Sequence, residues 1–173
     1  MRVHEIDAPE VGADPHGPTA PDMEPFTVAD DGTVTVTAVL VPHGPVFPSY
    51  AYRFDTPYGS VVFSGDTSAS DNLVRLARGA DILVHEVIDL DFYADSGLDD
   101  ALLDHLRVSH TDVTEVGPLA ERAGVGTLVL SHLVPADPAK VGKGSWARRA
   151  RSGFGGRVVV GEDLLSLPLR TAR

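Results

Sequence analysis

Four residues stand where this sequence could do chemistry: His43, Asp66, His110 and His132, each placed where an apolar run gives way to polar sequence. Val61-Val62-Phe63-Ser64-Gly65-Asp66-Thr67 reads as a buried strand ending in a glycine, a carboxylate and a hydroxyl. A carboxylate there sits on a loop that stays accessible while the strand fixes its backbone. The run from Gly126 to His132 repeats the theme with an imidazole, His43 follows a β-branched run that stops at Pro42, and His110 stands just before a helical pattern. Two neutral imidazoles and a carboxylate are a suitable partial set for a divalent cation such as zinc, which polarises an ester and acidifies bound water. A carboxylate between two imidazoles can bridge a pair of metals, and a further histidine outside the ligand shell suits protonation of a leaving oxygen.

The composition limits the alternatives. With no cysteine in 173 residues, disulfides, thiolate zinc sites and thiol nucleophiles are excluded, so the seven histidines and the carboxylates are the whole ligand inventory. The formal charge of −11 argues against a broad nucleic-acid footprint. A basic run late in the chain, Lys140, Lys143, Arg148, Arg149, Arg151 and Arg157, reads as a solvated helix face or as a grip on an anion. No apolar stretch is long enough for a membrane span, and the acidic N-terminus does not resemble a signal peptide, so the chain is expected in the cytoplasm.

The elements that must position these residues alternate between strands and helices, an α/β pattern. Residues 1–32 read as a proline-rich tail with a short strand at Arg2 to Ile6, and residues 33–173 as one partial domain. Strands are predicted over Thr33 to Val41, Tyr50 to Phe54 and Ser60 to Ser64, the latter two as a hairpin through Thr56-Pro57-Tyr58-Gly59. A helix follows through Leu73, Leu76, Ala77 and Ala80, then a buried strand from Asp81 to Val87 that presents His85 and Glu86 near its end. Residues 89–107 read as loop and then a short helix from Leu98 to Leu106. A helix opened by Asp112 and Glu115 and closed by Gly124 accommodates Pro118 if it starts at Thr114. A last helix spans Pro138 to Arg151, followed by strands Arg157 to Val160 and Leu164 to Leu169.

Four motifs in order then resemble one family. Ser64-Gly65-Asp66-Thr67 followed by a helix and Asp81-Ile82-Leu83-Val84-His85-Glu86, His43-Gly44 with Tyr50-Ala51-Tyr52-Arg53-Phe54, Ser109-His110-Thr111, and Leu128-Val129-Leu130-Ser131-His132 resemble the metallo-β-lactamase superfamily and its ribonuclease Z-like branch. The resemblance covers residues 33–168 and implies the C-terminal half of an αββα sandwich, a mixed sheet with flanking helices. It implies a two-zinc centre in which His43 binds one metal, Asp66 bridges both and His132 binds the second, with His110 as the acid for the leaving group. His85 and Glu86 would orient the ligands through hydrogen bonds.

Two departures shape the functional expectation. The family's His-x-His-x-Asp-His motif is absent from the sequence, which leaves each metal two ligands where catalytic zinc has about three, and suggests a truncated or separately encoded half. Such a half would need a completing N-terminal half or would associate with itself. Only Asp55 to Ser60 separates the hairpin strands, where ribonuclease Z proper carries a long arm that grips transfer RNA. The expected activity is therefore hydrolysis of a small anionic phosphate or sulfate ester, as in the arylsulfatase-like and phosphodiesterase relatives. The alternatives are a catalytically silent half-domain serving as an interaction module, and a ribonuclease Z-type endonuclease.

Overall fold

The computed structural model describes residues 5–169. Its strands lie in one sheet in strict sequence order. β1 (Phe26–Asp30), β2 (Thr35–Leu40), β3 (Tyr50–Thr56) and β4 (Gly59–Phe63) form an antiparallel meander, and β5 (Ile82–Ile88), β6 (Thr127–Val134) and β7 (Arg157–Val160) are added in parallel. The Thr and Val alternation of β2 and the turn residues of the β3–β4 hairpin account for the meander. At that turn the Thr56 hydroxyl donates to the Gly59 carbonyl at 2.9 Å, and Gly59 takes a φ of 140°.

Each parallel addition needs a crossover, and crossovers of one hand that always advance in the same direction leave their helices on the same face. The crossover helices are α1 (Asp71–Leu76), α4 (Val113–Ala123) and α5 (Lys143–Ala150), with α2 (Leu90–Asp95) and α3 (Asp100–Ser109) forming an excursion before α4. The register row Val62, Leu83, Leu128 and Val158 faces the helices and is closed against Leu73, Leu76, Val116, Ala120 and Trp146. The neighbouring row on the other face, Tyr52, Phe63, Val84 and Val129, has no helix of the described residues over it, and Phe63 is 45% exposed. No helix among the described residues is long and apolar enough to cross a membrane.

The element boundaries differ from the sequence reading in several places. β1 falls inside the segment read as a tail, which is anchored because Asn72 accepts from Met23 N and donates to the carbonyls of Pro21 and Leu40. The prolines around it end at Pro25, and an edge strand tolerates one there. For the strand expected at Arg2 to Ile6, residues 2–4 lie outside the described residues, and Glu5 and Ile6 are irregular. Residues 90–95, read as loop, form α2 because the Asp89 carboxylate caps Phe92 N at 3.0 Å. The last helix begins only at Lys143, with Gly142 at its N-cap. Leu164 to Leu169 joins no strand ladder, although Leu165, Leu167 and Leu169 lie over the bare face and enclose with Val61, Phe63 and Val84 a hollow of about 580 Å³.

Pro118 lies inside α4, which starts at Val113 and runs without a break. A mid-helix proline removes one backbone bond, and tertiary packing holds the helix in spite of it. Gly117 supplies that packing, since a Cβ there would run into the carbonyl oxygens of Ala150 and Ser152 at the end of α5. Gly117→Ala is therefore expected to lower stability in urea by about 2 kcal/mol, the scale of an overpacked contact. An unchanged midpoint would show that α5 moves freely.

Candidate functional site

The site forms at the C-terminal ends of β4, β5 and β6. After β4 the chain turns through Gly65, whose φ of 62° and approach to the Tyr50 carbonyl admit no side chain. The Ser64 hydroxyl accepts from Glu86 N at 3.0 Å and donates to the Gly65 carbonyl at 2.6 Å, while Ser68 N donates to the Pro42 carbonyl at 2.9 Å. These bonds hold Asp66 in a rigid turn and tie it to the segment that carries His43.

Glu86 points out of β5 and is only 2% exposed. Its Oε1 accepts from Thr67 N at 3.2 Å and from Thr111 N at 3.0 Å, and the Thr111 hydroxyl donates to the Thr67 carbonyl at 2.6 Å. Its Oε2 lies 3.4 Å from His110 Nδ1, a long contact that acts more as charge attraction than as a formed hydrogen bond, and both atoms are buried without a hydrogen-bond partner. The close Glu86 carboxylate, with Asp66 adding to its effect, raises His110 above the usual imidazole range against the opposing effect of burial.

His43 and His110 are both tied to the end of α3. His43 Nδ1 donates to the Ser109 carbonyl at 2.8 Å, which leaves Nε2 with the lone pair, and Gly44 N donates to the Val108 carbonyl at 2.9 Å. His110 is the C-cap of α3, with its amide on the Leu106 carbonyl.

His132 is placed by a bulge. Glu86 pairs with Ser131 and Val87 with Leu133, so His132 is an extra residue in β6, and it takes a φ of 42°. Bulges re-aim side chains beside active sites, and a non-glycine residue in the left-handed region carries backbone strain.

Glu86, His110 and His132 each offer a donor atom within 4.8 Å of the others. Asp66 Oδ2 lies 3.5 Å from His132 Nε2, both residues being partly exposed. The His43 and His132 rings flank that of His110, with centroids at 5.4 and 5.7 Å. All four sequence-expected residues therefore meet at one end of the sheet, and Glu86 joins them through its own carboxylate. Glu86 as a donor was missed by the sequence reading, although its place one residue after His85 puts it on the opposite face of the strand. Among the described residues no hydrogen bond joins His85 to His43, Asp66, His110 or His132; its Nδ1 meets the Glu86 carbonyl at 2.6 Å. The donor set of imidazoles and carboxylates, with two buried polar atoms lacking partners, fits a divalent cation in kind.

A profile described as a beta-lactamase superfamily domain matches residues 4–133, well over half of the chain. The chain belongs to the beta-lactamase superfamily. A ribonuclease Z of Mycobacterium tuberculosis (strain ATCC 25618 / H37Rv) is 39% identical over 138 residues, covering 78% of this chain and 48% of the relative. The chain thus spans about half the length of the curated relatives it matches. Among solved structures, the metallo-beta-lactamase fold protein YhfI of Bacillus subtilis aligns with a TM-score of 0.58 at 25% identity, covering 80% of this chain and 50% of that one. The short form of human tRNase Z aligns with a TM-score of 0.56 at 21% identity, covering 84% and 46%. The mixed sheet with flanking helices expected of this superfamily is the fold observed.

A superfamily member with a Glu86–His110 pair of this kind has a definite pH signature. Because His110 has a folded-state pKa above the unfolded 6.5, its stabilising contribution is complete below pH 6.5 and fades as the pH rises through the folded value. Glu86→Gln keeps an acceptor for the two threonine amides but loses the charge. Its stability deficit relative to the wild type is expected to be larger at about pH 5.5 than at about pH 9, by on the order of 1.5 kcal/mol. Urea denaturation at the two pH values measures it, and an equal deficit at both would remove the charge coupling.

Proposed function

We propose that this chain supplies one wall of a metal-dependent hydrolase that cleaves a phosphate ester, with a phosphodiester as the favoured substrate. The observation that carries the proposal is the meeting of Asp66, Glu86, His110 and His132, from four separate segments, at the ends of three parallel strands. Asp66 and His132 would hold a divalent cation, and His43 through Nε2 a second one, with Asp66 between them. Bound there, zinc or a similar cation would supply a Lewis acid for the developing oxyanion and a water acidified toward neutrality.

The chain's own residues would do the rest. Glu86, fixed by the Thr67 and Thr111 amides, favours the protonated form of His110 with Nδ1–H toward its carboxylate, so that Nε2–H would be the proton given to the leaving oxygen. Asp66 is carried on a backbone fixed by Gly65 on one side and the anchored Thr67 on the other, which would present its carboxylate toward His132. The donors fall short in number, at two residues of this chain for each cation. Further donors would come from residues outside these 173, such as a segment bearing the His-x-His-x-Asp-His pattern, or from a second copy.

The choice of phosphodiester is supported by the ribonuclease Z relatives, which match over 138 residues at 39% identity. Against transfer RNA itself stand the charge of −11 and the tight β3–β4 turn; sulfate esters would be served by the same groups. A catalytically silent interaction module is the second reading, favoured by the small donor count and the bare sheet face.

Calorimetric titration of the chain with zinc tests the metal reading. Weak binding is expected, lost about tenfold or more in Asp66→Ala and in His132→Ala. Zinc affinity unaffected by both substitutions would overturn the site. Hydrolysis of bis(p-nitrophenyl) phosphate that rises on adding a polypeptide with the missing motif, and does not rise in His110→Ala, would favour the enzyme over the silent module.

A further inference from the structure

His85 has no part in the chemistry just described, yet the structure gives it a definite mechanical position. It is wholly buried, and by strand alternation it shares the helix-side face of β5 with Leu83 and Val87 while Glu86 projects to the other. Its ring Nδ1 reaches across one peptide to the Glu86 carbonyl at 2.6 Å. Since a carbonyl only accepts, Nδ1 carries the proton, and Nε2 is left buried without a partner. Burial drives the ring toward the neutral form, consistent with that tautomer.

A half-satisfied imidazole in an apolar core is a poorer fit than leucine or phenylalanine would be, because an unpaired buried acceptor is costly. Its bond falls at the one place where the β5–β6 ladder slips, between Glu86 and Val87, opposite the extra residue His132. A slip of this kind disrupts the regular pairing of backbone groups around it. The same backbone unit carries the carboxylate that receives Thr67 N and Thr111 N and faces His110.

We propose that His85 is a positioning residue: by donating Nδ1–H to the Glu86 carbonyl at the slip in the ladder, it fixes the Glu86 backbone and so aims the carboxylate at Thr67, Thr111 and His110. The proposal rests on the hydrolase reading for its purpose, while the geometry it asserts stands apart from any bound metal. Asparagine in place of His85 can set an amide N–H where Nδ1 lies. Glutamine sets its amide where Nε2 lies, and phenylalanine fills the space with no donor at all.

The test uses the full chain, labelled with nitrogen-15, as wild type, His85→Asn, His85→Gln, His85→Phe and the control Leu83→Ala, which removes a buried side chain from the same face of β5. His85→Asn is expected to keep the Thr67 and Thr111 amide resonances and their slow exchange. His85→Phe should move both resonances and speed both exchange rates by tenfold or more, and zinc added as the chloride should bind it about tenfold more weakly than wild type. Leu83→Ala should lower Tm without moving the two amides. If His85→Phe does not fold, the comparison is made between His85→Asn and His85→Gln, with only the latter expected to shift the amides. Unmoved amides in His85→Phe, or equal shifts in Leu83→Ala, would overturn the proposal. Amides that shift as expected in a chain that binds no zinc would uphold His85 as the clamp and count against the metal reading instead.

Discussion

Everything at the strand ends depends on the compensation of one buried negative charge. A carboxylate taken out of water must be met by donors or neutralised, and Glu86 is met by two backbone amides on a single oxygen. Those amides belong to Thr67 and Thr111, and the residue before each is Asp66 and His110. One oxygen atom thus locates a carboxylate on the turn after β4 and an imidazole ahead of α4, although 44 residues separate the two threonines. The remaining oxygen is left to act on His110, so the group that organises the turns also raises the pKa of the imidazole beside it.

The sheet explains why the site lies at an edge of the molecule and not in an enclosed cleft. Strand order never reverses, so no crevice opens between helices on opposite faces, and the crossover helices gather on one side. The strand ends with Asp66, Glu86 and His132 border the uncovered face, where Phe63 and the leucines of residues 165–169 lie. The apolar character of that face and the small cluster of imidazoles and carboxylates at its rim are two aspects of one architecture, in which the polar groups gather on one side of a single sheet.

Much of this was legible in the sequence, and the parts that were not have physical reasons. The buried strand ahead of Ser64-Gly65-Asp66-Thr67 was visible because apolar runs that stop abruptly are local signals, whereas the run read as ending at His132 continues as β6 to Val134. β1 was obscured because prolines crowd the segment before it, while its anchorage comes from Asn72, far along the chain. For α4 the sequence offered either a start at Thr114 that spares Pro118 or a kink, but its packing depends on Gly117 meeting the end of α5, a tertiary contact that no local pattern reports. Leu164 to Leu169 has the alternation of a strand and no ladder to join, since alternation records a face to bury and not a partner to pair with. The bulge at His132 was invisible for the opposite reason, as it looks like one more residue of an ordinary strand.

That bulge separates the fate of the site from the fate of the fold. His132 is the supernumerary residue of β6, so loss of its single codon would bring Ser131 and Leu133 into unbroken register with Glu86 and Val87 and relieve a strained backbone angle. Such a deletion would improve the sheet while removing the imidazole proposed as a ligand. The strand thus tolerates the loss of His132 better than the cluster of polar groups at its end does.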